Sequence, residues 1–274
     1  MERFDDPRIG STGMTVCHNR IVRSGSTGIE TFGIDTLIEE NVLIDACYSK
    51  GDCGGIGCFT SENSTVRRNI VQNVISPVEG FSGSFRERFG FGLYIDVEST
   101  ANCSDNTIVN TQGYGIIYQS EAVGDVTGNT VYGNQGRVHV FCGSSGTISH
   151  LTGNIFVGIE PIRLMFTEAD GRILASDNNY FIQPHTEEYI STQSAEWVRM
   201  NLAEWQSFSG QDQDSLAAWF TLAEGAAPIT EIFVNDTEAE QTVALTGTYV
   251  DLDQQAVGTS ITLAPFTSRV VVAQ

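Results

Sequence analysis

Gly90-Phe-Gly-Leu-Tyr-Ile-Asp96, Gly113-Tyr-Gly-Ile-Ile-Tyr-Gln119 and Gly136-Arg-Val-His-Val-Phe-Cys142 are three versions of one phrase. Each is a glycine-led run of alternating residues, and each is followed by an Asn and a second apolar strand (Asn106, Asn129, Asn154). A unit repeated at a nearly fixed period, with strand rather than helix periodicity, specifies a solenoid whose rungs stack on one another. Side chains at equivalent positions then form columns along the stack.

The Asn signal extends outward in both directions. Asn19, Asn41, Asn69, Asn106, Asn129, Asn154 and Asn179 precede apolar strands at intervals of 22, 28, 37, 23, 25 and 25 residues. Parallel strands stack about 4.8 Å apart. An Asn at each corner tolerates a left-handed turn and bonds to its counterpart one rung on, which is a scaffold role. The apolar alternates Ile56, Leu93, Ile95, Ile116, Tyr118, Val138, Val140, Ile162 and Leu164 are expected to fill the interior. The 37-residue interval holds an insertion, roughly 75–89, with Phe81, Phe85, Arg86, Arg88 and Phe89. It is placed to overhang the strand bearing Tyr94 and Asp96, or to cap the core with its phenylalanines.

Residues 1–190 are therefore read as rungs and 191–225 as a helical or loop closure, with Val198, Leu202 and Trp205 on one helical face of the run 194–208. Residues 226–274 are read as a small β-module that closes the last rung and hides its open edge. The first rung shows no cap before Thr15, so a partner domain or chain is expected there.

Composition narrows the function classes. The net charge is −20, and Lys50 is the only lysine among 14 basic residues. Such a surface repels nucleic acid and anionic membranes. No stretch is apolar enough to span a bilayer. Of the six cysteines, Cys47 and Cys53 are close enough to bridge, while Cys58 and Cys142 read as buried free thiols. No phosphate-cradling loop, HExxH or GxSxG motif is present.

The segments Gly92-Leu-Tyr-Ile-Asp96, Asn106-Thr-Ile-Val and Gly115-Ile-Ile-Tyr-Gln119 resemble the right-handed parallel β-helices of the pectin-lyase-like superfamily, and most of all its β-helical glycoside hydrolases. Ala203-Glu-Trp-Gln-Ser-Phe-Ser-Gly-Gln-Asp212 and Thr262-Leu-Ala-Pro-Phe-Thr-Ser-Arg269 look like the closing part of the same secreted proteins. The resemblance implies an all-β, single-stranded right-handed parallel β-helix, extracellular, acting on a polysaccharide or oligosaccharide. This scaffold also carries lyases, epimerases and tailspikes, so the reaction is argued from residues.

Aligned on their glycines, the rungs give three outward columns: Gly57, Tyr94, Ile117, His139, Arg163; then Phe59, Asp96, Gln119, Phe141, Met165; then Ser61, Glu98, Glu121, Gly143, Thr167. A rung step of about 5 Å matches the carboxyl separation of a retaining glycosidase. In the resembling hydrolases the acid at the Asp96 position pairs with one a rung on, but here that place holds Gln119. Glu98 and Glu121 are the substitute acids, or else solvated turn residues. The rival chemistry is β-elimination on a uronate glycan, with His139 as base and Arg163 and Arg137 as cations. Tyr94, Gln119, Arg137, Phe141, Arg86 and Arg88 are the expected substrate contacts. No metal site is expected; the lyase reading admits calcium at clustered acids, with no ligand set legible. A non-catalytic glycan-binding or structural β-helix is the third reading.

Overall fold

The computed structural model describes residues 11–76, 89–133, 138–193 and 196–274. Its strands form three long sheets, with seven, eight and eight strands, in which each strand pairs with its equivalent one rung away. One rung is represented by Ala101–Ser104, Thr107–Val109 and Tyr114–Tyr118, one strand in each sheet. All pairings in the stack are parallel except the last, where Ile190–Gln193 meets Trp197–Met200 antiparallel. The chain is thus an all-β parallel β-helix, as the period requires.

Between the first and second sheets the seven asparagines form a ladder, buried from Asn41 to Asn179. Asn106 donates from its backbone and side-chain nitrogens to Asn129 Oδ1, at 3.0 and 2.9 Å. Asn129 does the same to Asn154, and Asn154 to Asn179. The left-handed residue at each corner is not the Asn but the one before it, such as Arg68, Asp105 or Gly128. That backbone turn aims the amide inward, where only its neighbour and strand carbonyls satisfy it. At the far end Ser215 stands in the place of an eighth asparagine and accepts the Asn179 backbone N–H, while Asp212 takes the side-chain amide. The Asp212 carboxylate accepts from Asn179 Nδ2, Ser215 Oγ and Trp205 Nε1.

Between the second and third sheets a different column operates. The register sets Gly28, Gly55, Gly92 and Gly115 over one another. A Cβ at Gly55 would press on Val71 and stand 2.9 Å from the Gly92 carbonyl oxygen, and one at Gly92 would run into that of Gly115. The second glycine of each phrase, Gly92 or Gly115, answers crowding at this corner.

Inside, Ile29, Ile56, Leu93, Ile116, Val140, Met165 and Ile190 make one stacked row of the core. Val138 departs from expectation by facing outward into a second apolar cluster, and Ile162 is only half-buried.

The closure also differs from the sequence reading. The helix covers only Leu202–Ser209, N-capped by Asn201 in a capping box with Glu204. Residues 197–200 are extended instead, because Val198 and Met200 alternate toward the core. Leu202 and Trp205 plug the last rung. The C-terminal strands Thr230–Asn235, Gln241–Ala244, Tyr249–Val250, Ser260–Leu263 and Thr267–Ala273 lie along the second sheet rather than over its end. They bond to it through Arg20–Asp236, Thr107–Ser268, Tyr132–Thr230 and Tyr180–Asp253. The module is a lengthwise strap.

Candidate functional site

Phe59 pairs with Asp96 and Gly57 with Tyr94, which places Tyr94 and Asp96 on the outer face of the third sheet. Gln119 follows directly one rung on, its backbone N–H donating to Ile95. From there Gln119 Nε2 donates to the Tyr94 hydroxyl at 3.0 Å and to Asp96 Oδ2 at 3.2 Å. The other Asp96 oxygen accepts from the Val97 backbone at 2.8 Å. Tyr94 in turn donates to Asp52 Oδ1 at 3.2 Å.

Asp52 is the member that sequence reasoning missed. It is exposed, holds a left-handed backbone at φ 55°, and immediately precedes Cys53, which is disulfide-bonded to Cys47. Both cysteines are buried, so the bridge anchors the loop that carries Asp52 to the sheet face. The one available signal was its place next to the bridging cysteine at the start of a strand.

The arrangement is a relay: Asp96, Gln119, Tyr94, Asp52. The three linked hydrogen bonds hold the two carboxylates no farther apart than the ~9.5 Å upper limit for paired glycosidase acids. Asp96 is 8% exposed and Tyr94 5%. Burial first, and then the two neighbouring carboxylates, push the Tyr94 phenol upward, so it keeps its proton and serves as a donor at neutral pH.

Around the relay runs a ladder of rings. Phe32–Phe59, Phe59–Tyr94, Tyr94–Phe91, Phe91–Tyr114, Tyr114–Phe141, Phe141–Phe166 and Phe166–Trp197 have centroids 5.9, 5.1, 4.6, 5.6, 4.4, 5.1 and 5.0 Å apart. The rings from Tyr94 to Phe166 are buried and Phe59 is half-buried, while Phe32 and Trp197 at the two ends are 53% and 54% exposed.

The other expected site residues separate. His139 is not on the outer face: its ring is 0% exposed, with Nε2 on the Val157 carbonyl oxygen at 2.7 Å. Burial lowers its pKa to about 4, against the small upward pull of that bond. A ring sealed inside the rung cannot take a proton from a bound sugar. The cause is register. Ile117 pairs with Phe141, not His139, so the expected column is two residues out in this rung and His139 falls in the glycine column opposite Gly115.

One more residue of slip in the next rung sets Arg163 opposite Val138, where its guanidinium lies 4.6 Å over the Phe166 ring. The two-residue slip moves Phe141 opposite Ile117 and Gly143 opposite Gln119. Glu98 and Glu121 do stack, since the Glu98 N–H donates to Ser120, but both are exposed on left-handed turn residues beyond the sheet face. Arg86, Arg88 and Arg137 lie outside the described residues. Among the described residues no group of three or more His, Cys, Asp or Glu side chains is placed to hold a metal ion. None of their helices is long and apolar enough to cross a membrane.

A coil of three parallel sheets with a stacked Asn corner and a polar relay on one outer face defines a parallel β-helix protein. The chain belongs to the right handed beta helix region family, whose model matches residues 10–156. It is also similar to a cell surface glycoprotein of Methanothermus fervidus, 29% identical over 153 residues, which is 55% of this chain. The match spans 24% of that relative's length. No solved structure matches the chain.

Proposed function

We propose that this chain is an extracellular carbohydrate-active β-helix that hydrolyses a glycosidic bond at the outer face of the third sheet, with Asp52 and Asp96 as the two carboxylates. The observation that carries this reading is their convergence, from consecutive rungs, on the single Tyr94–Gln119 pair. Asp96 takes a proton from water as the water oxygen bonds to the anomeric carbon. Asp52, on the open side, gives its proton to the departing glycosidic oxygen. Tyr94 and Gln119 fix both carboxylates between turnovers. The rival elimination has lost its base, because His139 faces the interior.

The test is reducing-sugar release from a panel of neutral and uronate polysaccharides. Asp52→Asn and Asp96→Asn should each lower turnover at least ~100-fold, the scale of one acid or base. Wild-type turnover in both variants would remove the site.

A second reading is glycan binding without cleavage. Gln119 favours it, since an amide stands one rung step from Asp96 where a retaining pair would have its second acid. The likeness to a cell surface glycoprotein is compatible with it. Binding to a panel polysaccharide with no new reducing ends would select it.

A further inference from the structure

The three sheets put their outer faces to different use. The second is overlaid by the C-terminal strap, and the third carries the relay and its rings. Along the first, Thr65, Asn102, Ser104, Asp125, Thr127 and His150 are all exposed or half-buried. That face is polar, and one kind of motif recurs on it.

Three tripeptides have the form Asn-x-Ser/Thr, the acceptor pattern for an N-linked glycan: Asn63-Ser-Thr65, Asn102-Cys-Ser104 and Asn235-Asp-Thr237. The fold sorts them. Asn102 lies exposed in the strand Ala101–Ser104, opposite Thr65. Its Oδ1 accepts from the Asp125 N–H at 3.0 Å, and its Nδ2 has no partner among the described residues. Asn63 is exposed at φ 52°, just before the strand Ser64–Arg67 of the same sheet. Its Nδ2 donates to Asp35 Oδ1 at 2.6 Å. A glycosylated amide keeps one N–H, which is enough for that single bond. Asn235 is the opposite case. It is 0% exposed, and its Nδ2 reaches the carbonyl oxygens of Ala239, Leu263 and Ala264 at 2.8, 3.1 and 2.9 Å.

We propose that Asn102 and Asn63 are attachment sites for N-linked glycans on the outer face of the first sheet, and that Asn235 is not. The inference rests on the extracellular reading above for access to the transfer machinery. The co-reactant is an oligosaccharide carried on a polyprenyl pyrophosphate. The amide nitrogen bonds to C1 of the first sugar as the bond from C1 to the pyrophosphate oxygen breaks. The electron pair leaves with the pyrophosphate, and the nitrogen's proton passes to a base of the transferase. The strand of Asn102 is paired on both sides, so transfer precedes closure of that rung. Folding then decides which products persist. A sugar on Asn102 or Asn63 extends into solvent, on a different sheet from Asp96 and Tyr94. One on Asn235 would replace a proton shared among three carbonyls in a sealed space, and would bar the strap from folding.

The test is to express the chain in cultured mammalian cells behind a cleavable leader, which supplies export directly. Peptide N-glycosidase treatment in heavy-oxygen water turns each glycosylated Asn into a heavy Asp that peptide mass spectrometry locates. Label is expected at Asn102 and Asn63 and not at Asn235. Ser104→Ala and Thr65→Ala should each abolish label at their own site while the Asn side chains and the β-sheet circular dichroism stay as they were. Absence of label at both sites, or label on Asn235 in folded protein, overturns the inference. Label at one of the two strikes the other. Hydrolysis is read separately, from reducing-sugar release by the wild type and by the Thr65→Ala/Ser104→Ala double variant, which should be equal. Labelled protein without turnover sinks the hydrolytic reading alone; unlabelled protein with turnover sinks this one alone.

Discussion

Asp96 and Gln119, on consecutive rungs, are joined by a 3.2 Å hydrogen bond in which the amide donates to the carboxylate. The same nitrogen also reaches the Tyr94 hydroxyl, so one uncharged side chain holds an acid and a phenol in fixed relation. A carboxylate at position 119 would lack both donors and would confront Asp96 across a single rung step.

Gln119→Glu should therefore show a diagnostic pH dependence. Two like charges this close raise one carboxyl pKa in the folded state above its unfolded value. The stability of the variant is then closest to wild type below about pH 4 and is lost as pH rises through the raised folded pKa. We expect a deficit of about 1–2 kcal/mol at pH 7, read by urea unfolding at both pH values. A deficit that is the same at pH 4 and pH 7 would show that charge repulsion is not its source.

His139 predicts a dependence of the opposite sense. Its folded pKa is lowered by burial from 6.5 to about 4, and its Nδ1 has no partner. The unfolded chain therefore binds the proton first. The contribution is complete above pH 6.5 and is lost as pH falls from 6.5 to about 4, amounting to roughly 3 kcal/mol at 1.36 kcal/mol per unit. Leu164 fills the equivalent place one rung on, so His139→Leu should fold and should lose stability less steeply over that window. Parallel unfolding curves for variant and wild type across pH 4–7 would rule this out.

Asn129 sits inside the ladder, accepting from Asn106 and donating to Asn154 and the Cys103 carbonyl oxygen. Asn129→Ala leaves the Asn106 backbone and side-chain donors without their acceptor in a dry interior, while Asn154 Oδ1 keeps only the backbone N–H of residue 129. At about 1–3 kcal/mol for each buried group left unsatisfied, the loss should be ~3 kcal/mol or more. Asn129→Asp should be no milder, because it restores the acceptor but sets a charge against Asn154 Oδ1. Thermal unfolding checks both, and a loss below ~1 kcal/mol for Asn129→Ala would mean that water substitutes for the amide.

The period of the coil was legible because the Asn corner and the crowded glycine corner each impose a residue type that recurs every rung. Register was less legible. Gly136 sits three residues before His139, which occupies the column that Gly28, Gly55, Gly92 and Gly115 share. With no glycine at the shared position to anchor that rung, an alignment on glycines slides His139 and Arg163 onto the wrong partners. Asp96 and Gln119 were recognised because they are strand neighbours in consecutive copies of one phrase. Asp52 was not, because the register sets Phe89 opposite it in the next rung and no acid repeats at that position. The strap was read as an end cap because strand pattern gives the pairing within a sheet and not the surface on which the sheet packs.

The Cys47–Cys53 bridge fixes the loop that carries Asp52. It closes a short loop around Lys50, Gly51 and Asp52, and both sulfurs are out of solvent. Replacing both cysteines by serine removes the constraint on the unfolded chain, which for so short a loop contributes about 2 kcal/mol. It also frees the left-handed Asp52 from its bond to Tyr94. We expect the double variant to keep its β-sheet circular dichroism, melt several degrees lower, and lose most of whatever turnover depends on Asp52. Combined with Asp52→Asn it should show little further loss of turnover, because both changes remove the same contact. Additive losses would instead mean that the bridge acts on the site through something other than Asp52.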